Sequence, residues 1–100
     1  MPSLSLSVPH SLTADEATTR LQGLTKRLRA RFADKIDDVD EWWGKHRGDF
    51  TITLSGVKVK GDADVRDDAV RLRVDLPLIA MAFKSSIESA IRTEVQACLK

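Results

Sequence analysis

The sequence is short of everything that staples, spans or coordinates. It has one cysteine, Cys98, in 100 residues, which excludes an internal disulfide framework and any metal site built on a cysteine cluster. No apolar run approaches the roughly 20 residues that cross a bilayer as a helix. The opening Met1-Pro2-Ser3-Leu4 has neither the basic nor the apolar region of a secretory signal, so a cytoplasmic location is expected. Charge of one sign is also scarce. Sixteen basic residues against 15 acidic ones leave a formal net charge of +1, too little for nucleic-acid or membrane-surface binding by bulk electrostatics. His10 and His46 fall in different predicted loops, with no His-x-x-x-His or Cys-x-x-Cys spacing to hold a metal. No serine occupies a Gly-x-Ser-x-Gly elbow and no glycine-rich phosphate loop occurs. The expectation is a protein with no catalytic residue, no cofactor and no metal: not an enzyme.

What is present is an ordinary globular balance, 42% apolar and 31% charged, in a chain long enough for one domain, residues 1–100. Leu4, Leu6 and Val8 alternate with Ser3, Ser5 and Ser7, the period of a half-buried strand. Pro9 stops it. Thr13 with Glu16 forms a capping box with Leu12 ahead of it. Ala17, Leu21, Leu24, Leu28 and Phe32 then recur at helical steps, predicting one helix over about 14–34. Gly23 falls inside it, suggesting a close helix–sheet approach.

From Ile36 the period changes to two. A short strand is predicted over Val39–Gly44, a polar turn over Lys45–Gly48, and a strand through Phe50, Ile52 and Leu54. Ser55-Gly56 is a hairpin signal. Val57 to Val65 and Val70 to Leu76 continue the alternation across a turn at Arg66–Asp68. Short turns between consecutive strands predict an antiparallel meander. Pro77 suits a helix start, and Phe83, Ile87, Ala90, Ile91, Val95 and Cys98 make the stripe of a last helix. The predicted class is α+β, in the order β-α-β-β-β-β-α. Two helices cover one face of an antiparallel sheet and the other face stays in solvent. The core residues look just sufficient to fill the space between them.

Three features stand out as candidate contact surfaces. Trp42 and Trp43 are adjacent, so in a strand they must point to opposite faces; one enters the core, and the other is either a contact or a cover for the sheet edge. Leu76 to Phe83 holds no charge and exceeds what one helix face can bury. It either fills the core, with Met81 as a gap-filler, or leaves an apolar patch exposed, with Leu78, Ile79, Met81 and Phe83 as its candidate contact residues. Arg20, Lys26, Arg27, Arg29, Arg31 and Lys35 make the first helix basic, but the acids Asp37, Asp38, Asp40 and Glu41 follow at once, so a solvated face is the simpler reading. Cys98 sits on an apolar stripe and reads as a small core residue.

Several of these residues, in this order, resemble the bacterial family of polyhydroxyalkanoic acid system proteins, or polyhydroxyalkanoate granule-region proteins. They are Pro9-His10-Ser11-Leu12 with Glu16-Ala17, then Trp43, Gly56-Val57, Val59-Lys60-Gly61 and Asp67-Asp68-Ala69-Val70. Leu76-Pro77-Leu78 and Phe83-Lys84-Ser85-Ser86-Ile87-Glu88 close the match. The acidic stretch Ala33–Glu41 and the tryptophan doublet depart from the pattern. The resemblance implies a context, polyester storage granules, without catalytic residues. It implies a non-enzymatic accessory or interaction protein, granule-associated, whose partner is the granule surface or a granule-associated protein. His10, just ahead of the Thr13 cap, is expected to close the strand-to-helix corner. Two other functions stay open. An antiparallel sheet with a long C-terminal helix is similar to helix-grip folds, which hold a lipid between helix and sheet. A homodimer pairing through an edge strand or the Trp42-Trp43 segment is the other.

Overall fold

The computed structural model describes residues 3–100. Its elements are β1 (Ser3–Pro9), α1 (Ala14–Leu21), α2 (Leu24–Arg31), β2 (Ile36–Gly44), β3 (Arg47–Leu54), β4 (Val57–Val65) and β5 (Ala69–Asp75). A 3-10 helix (Leu78–Phe83) and α3 (Lys84–Cys98) follow. The α+β class and its order are as the alternation predicts. The strands form one antiparallel sheet in the order β1-β5-β4-β3-β2, so β1 closes against β5 and β2 is left at the far edge. All the neighbouring pairs are antiparallel.

The turns follow from backbone chemistry. Ser55 and Gly56 both have positive φ, 48° and 83°, the twist-matched two-residue hairpin. The β2–β3 connection is shorter than the sequence suggests: Lys45-His46 alone makes the turn, with His46 at φ 59°, and Arg47 and Gly48 already pair with β2. β2 in turn begins at Ile36, not Val39, with a register shift between Ile36 and Asp38.

The first helical segment corrects the single helix expected over 14–34. It breaks at Gln22-Gly23, where the Gly23 amide donates to the Arg20 carbonyl at 3.1 Å, one residue tighter than an α-helix. The bend lets Leu21 at the end of α1 and Leu24 at the start of α2 both bury. A Cβ on Gly23 would meet only the Arg20 carbonyl, at 3.4 Å; the glycine permits a break rather than a close approach to the sheet. The start is as expected, with the Glu16 amide donating to Thr13 Oγ1 at 3.1 Å. The Glu16 carboxylate pairs with Arg20 Nε instead of returning to the cap.

The corner before α1 is fixed by His10. Its Nδ1 accepts from the Leu12 amide at 3.0 Å, which leaves Nε2 as the donor to the Arg66 carbonyl at 2.8 Å. The side chain thus ties the β1–α1 corner to the β4–β5 turn. The outer sheet face is polar, as expected. Asp62, Asp64, Arg71 and Arg73 line a shallow depression there, laced by Arg47–Asp62 at 3.5 Å and Arg73–Asp75 at 3.7 Å.

Candidate functional site

The inner sheet face meets the helices in two ways. Leu4, Leu6 and Val8 of β1, Val70 of β5, and Ala17 and Leu21 of α1 are buried against one another. The C-terminal half of α3 seals them with Val95, and Leu99 just beyond it. Toward β2, β3 and the N-terminal half of α3 the packing opens. Phe32, Ile36, Ile52, Val59, Ile87 and Ile91 are only half-buried, and between them lies a cavity of about 460 Å3. This corrects the expectation that the apolar residues just suffice to fill the core.

Two glycines on the inner face explain where the space goes. Gly48 lies opposite Trp43, and a Cβ there would lie 2.8 Å from the Trp43 ring, so the indole occupies that position. Gly61 lies opposite Phe50 and Val74, and a Cβ there would meet the Arg73 carbonyl at 3.1 Å and a Val74 methyl at 3.5 Å. No helix side chain is among these neighbours, and Gly61 borders the cavity.

The helices over this opening are held by charge. Glu94 of α3, 9% exposed, accepts from Arg27 Nε at 3.3 Å and from Arg31 Nη1 at 3.0 Å, both on α2. Two cations of the basic helix are therefore an interhelical clamp, a role their charge pattern did not disclose. Glu94 falls on the apolar stripe of α3, seven positions after Ile87 and three after Ile91. A lone carboxylate there is the signal that could have pointed to a buried cationic partner, without saying which. Next to it, burial pushes the Cys98 thiol above its usual pKa, in keeping with an inert packing residue.

The contact residues expected from sequence fall into separate places. Trp43 turns inward, half-buried, edge-on to Phe50 with centroids 5.5 Å apart, and its Nε1 donates to Glu41 at 3.3 Å. Trp42 points outward and is 60% exposed, with its ring against Gly44 of its own strand. The apolar run before α3 divides: Leu76 is buried, Ala80 and Met81 pack on the core, and Leu78, Ile79 and Phe83 stand out at 80%, 72% and 63% exposure. These three share one short helix, and β4 and β3 lie between β5, which feeds it, and the β2 strand carrying Trp42. The outer edge of β2 carries Asp38, Asp40 and Glu41 and a bulge, features that oppose pairing with a second strand. Among the described residues, no group of three or more His, Cys, Asp or Glu side chains could hold a metal ion, and no helix is long and apolar enough to cross a membrane.

A family model described as "Putative polyhydroxyalkanoic acid system protein" matches residues 4–99, from the first core leucine to the last. The chain belongs to this family. Its fold is also that of solved structures with unrelated-looking sequences. The protein TTHA0849 from Thermus thermophilus is similar with a TM-score of 0.53 at 10% identity, over 98% of this chain and 92% of that one. Ara h 8.0201 is similar with a TM-score of 0.56 at 9% identity, over 98% of this chain and 97% of that one. At such identities the likeness is one of fold. A comparison with curated proteins gives no match.

Proposed function

We propose that this member of the polyhydroxyalkanoic acid system family is a non-enzymatic binding protein that takes an apolar acyl ligand between its helices and sheet. The observation that carries the reading is the cavity. At about 460 Å3 it exceeds the roughly 300 Å3 at which ligand pockets begin. Its inward side chains are hydrocarbon, from Leu28 and Phe32 of the helical layer to Ile52 and Val59 of the sheet and Ile87 and Ile91 of α3. Such a surface gains by excluding water around an alkyl chain and offers no nucleophile or acid–base pair for chemistry upon it. The test is enhancement of a neutral naphthylamine dye by the purified protein, with displacement by acyl compounds. Wild-type protein should bind dye and release it to acyl chains, and Ala90→Phe, which puts a ring into the cavity from α3, should do neither. A dye response equal in Ala90→Phe and wild type overturns the reading.

A second surface supports a role at the granule itself. Leu78, Ile79 and Phe83 present three large apolar side chains on one short helix, which is costly in water and suited to a polyester surface or a granule-associated partner. Mixing with isolated granules tests it: wild type should sediment with them, and Leu78→Asp with Ile79→Asp should stay in the supernatant. Wild-type protein recovered wholly in the supernatant would exclude direct binding.

A further inference from the structure

The polar residues bordering the cavity are not spread around it, and resting on the binding reading above they point to the ligand's chemistry. Four charged residues border it: Arg31, Lys35, Asp62 and Arg73. Asp62 and Arg73 occupy strand positions that alternate to the outer face, where they pair with Arg47 and Asp75. The two that remain on the helix side are both cations, Arg31 at the end of α2 and Lys35 in the turn after it. Beside them lie Ser55 of the β3–β4 turn and Ser86 in the first turn of α3. All four are exposed, whereas Leu24, Leu28, Phe50, Leu72 and Val74 behind them are buried. The four therefore mark the mouth.

Lys35 is fixed in place without being neutralised. Its amide donates to the Phe32 carbonyl at 2.8 Å and its carbonyl accepts from the Ser55 amide at 2.9 Å, so both the helix end and the hairpin hold its backbone. Among the described residues it makes no ion pair within 4.0 Å. Asp37, two residues on, is occupied in accepting from the Gly56 amide at 2.9 Å, and Asp34 is not part of the lining. Arg31 shares Glu94 with Arg27 and lies 5.4 Å over the Phe32 ring, so its charge sits against an apolar wall of the cavity. Two cations thus stand at the rim of a hydrocarbon chamber that turns no carboxylate inward.

We infer that the ligand is an alkyl chain ending in one anionic head, a carboxylate in the simplest case, with the chain in the cavity and the head at Lys35 and Arg31. The chain supplies affinity through apolar burial and the head supplies orientation and selectivity.

Three ligands of equal chain length separate the possibilities: decanoate, decanol and decyltrimethylammonium, each displacing the neutral dye from lipid-stripped protein below its micelle concentration. Decanoate should bind about fivefold or more tighter than decanol, the scale of an exposed ion pair, with the cation weakest. Lys35→Glu, which disturbs no ion pair, should remove that preference and leave decanol unchanged. Added salt should weaken decanoate alone. Decanol binding as well as decanoate, or a preference surviving in Lys35→Glu, overturns the anionic head and leaves the cavity reading standing. Failure of all three to bind overturns both.

Discussion

The two ends of α3 show two ways of covering a sheet. At its C-terminal end Val95 is fully buried over β1 and β5, and the space is filled. At its N-terminal end Ile87 and Ile91 are half-buried over β3 and β4, and the space is hollow. The residue types are equally apolar at both ends, so hydrophobicity does not distinguish them. The difference is what faces them. Beneath Val95, α1 brings Ala17 and Leu21 down on the sheet. Beneath Ile91 lies the cavity: α2, beyond the break at Gly23, is held to α3 through Glu94, while Gly61 contributes no side chain. One end is a core that stabilises the domain; the other is a lining that can exchange solvent for a ligand.

The largest effect expected from this contrast is a mismatch between similar truncations. Leu21→Ala should cost about 3 kcal/mol, because the filled end cannot collapse around the lost atoms. Ile91→Ala should cost about 1 kcal/mol, since its side chain already contacts the cavity. Urea unfolding of both variants measures the two, and equal costs would break the distinction. Next comes Gly48→Ala, whose new Cβ would lie under 3.0 Å from the Trp43 ring. It should cost about 2 kcal/mol by overpacking and shift tryptophan emission to the red as the indole is expelled. Ala90→Phe should act in the opposite sense. Filling the hollow end should raise stability by up to about 1 kcal/mol while ending dye binding; a loss of stability would mean the cavity wall cannot accept a ring.

The smallest effect bears on the tie between α1 and the β2–β3 turn, where Asp15 Oδ1 and His46 Nε2 are 2.5 Å apart. The hydrogen bond and charge of His46 hold the Asp15 carboxyl below its usual pKa. A depressed folded pKa stabilises the fold above the unfolded value, about 3.9, and that contribution is lost as pH falls through the folded value. Asp15→Asn should therefore flatten the acid limb of the stability profile and leave neutral pH almost unchanged, because the carboxylate is exposed. An acid limb identical to wild type would show that the contact contributes nothing.

Most of the fold was legible because the sheet has one buried face. Alternation from Phe50 to Leu76 fixes which side chains face inward, and a one-residue slip would expose all of them. Ser55-Gly56, Thr13 and His10 carry their local geometry in their own chemistry, and each stands where that chemistry places it. The cavity was not legible. Ile52, Val59, Ile87 and Ile91 have the same identity and period whether a neighbour fills the gap before them or not. The exposed residues were half legible: an uncharged run longer than a helix face announced that something would protrude, but not which side chains. The Glu94 clamp had half a signal, a lone carboxylate on the apolar stripe of α3, but its partners Arg27 and Arg31 lie more than sixty positions away in the chain.

The sequence by itself determined the α+β class, the antiparallel meander, the inward face of each strand and the residues that form the family pattern. Periodicity and turn chemistry are local, and folding reads them locally. Only the tertiary structure decided where α1 gives way to α2, which tryptophan enters the core, and that the helix layer stands off the sheet beside Gly61. Those outcomes depend on how distant elements share one volume. A hollow, unlike a strand, is made by side chains that are absent from it.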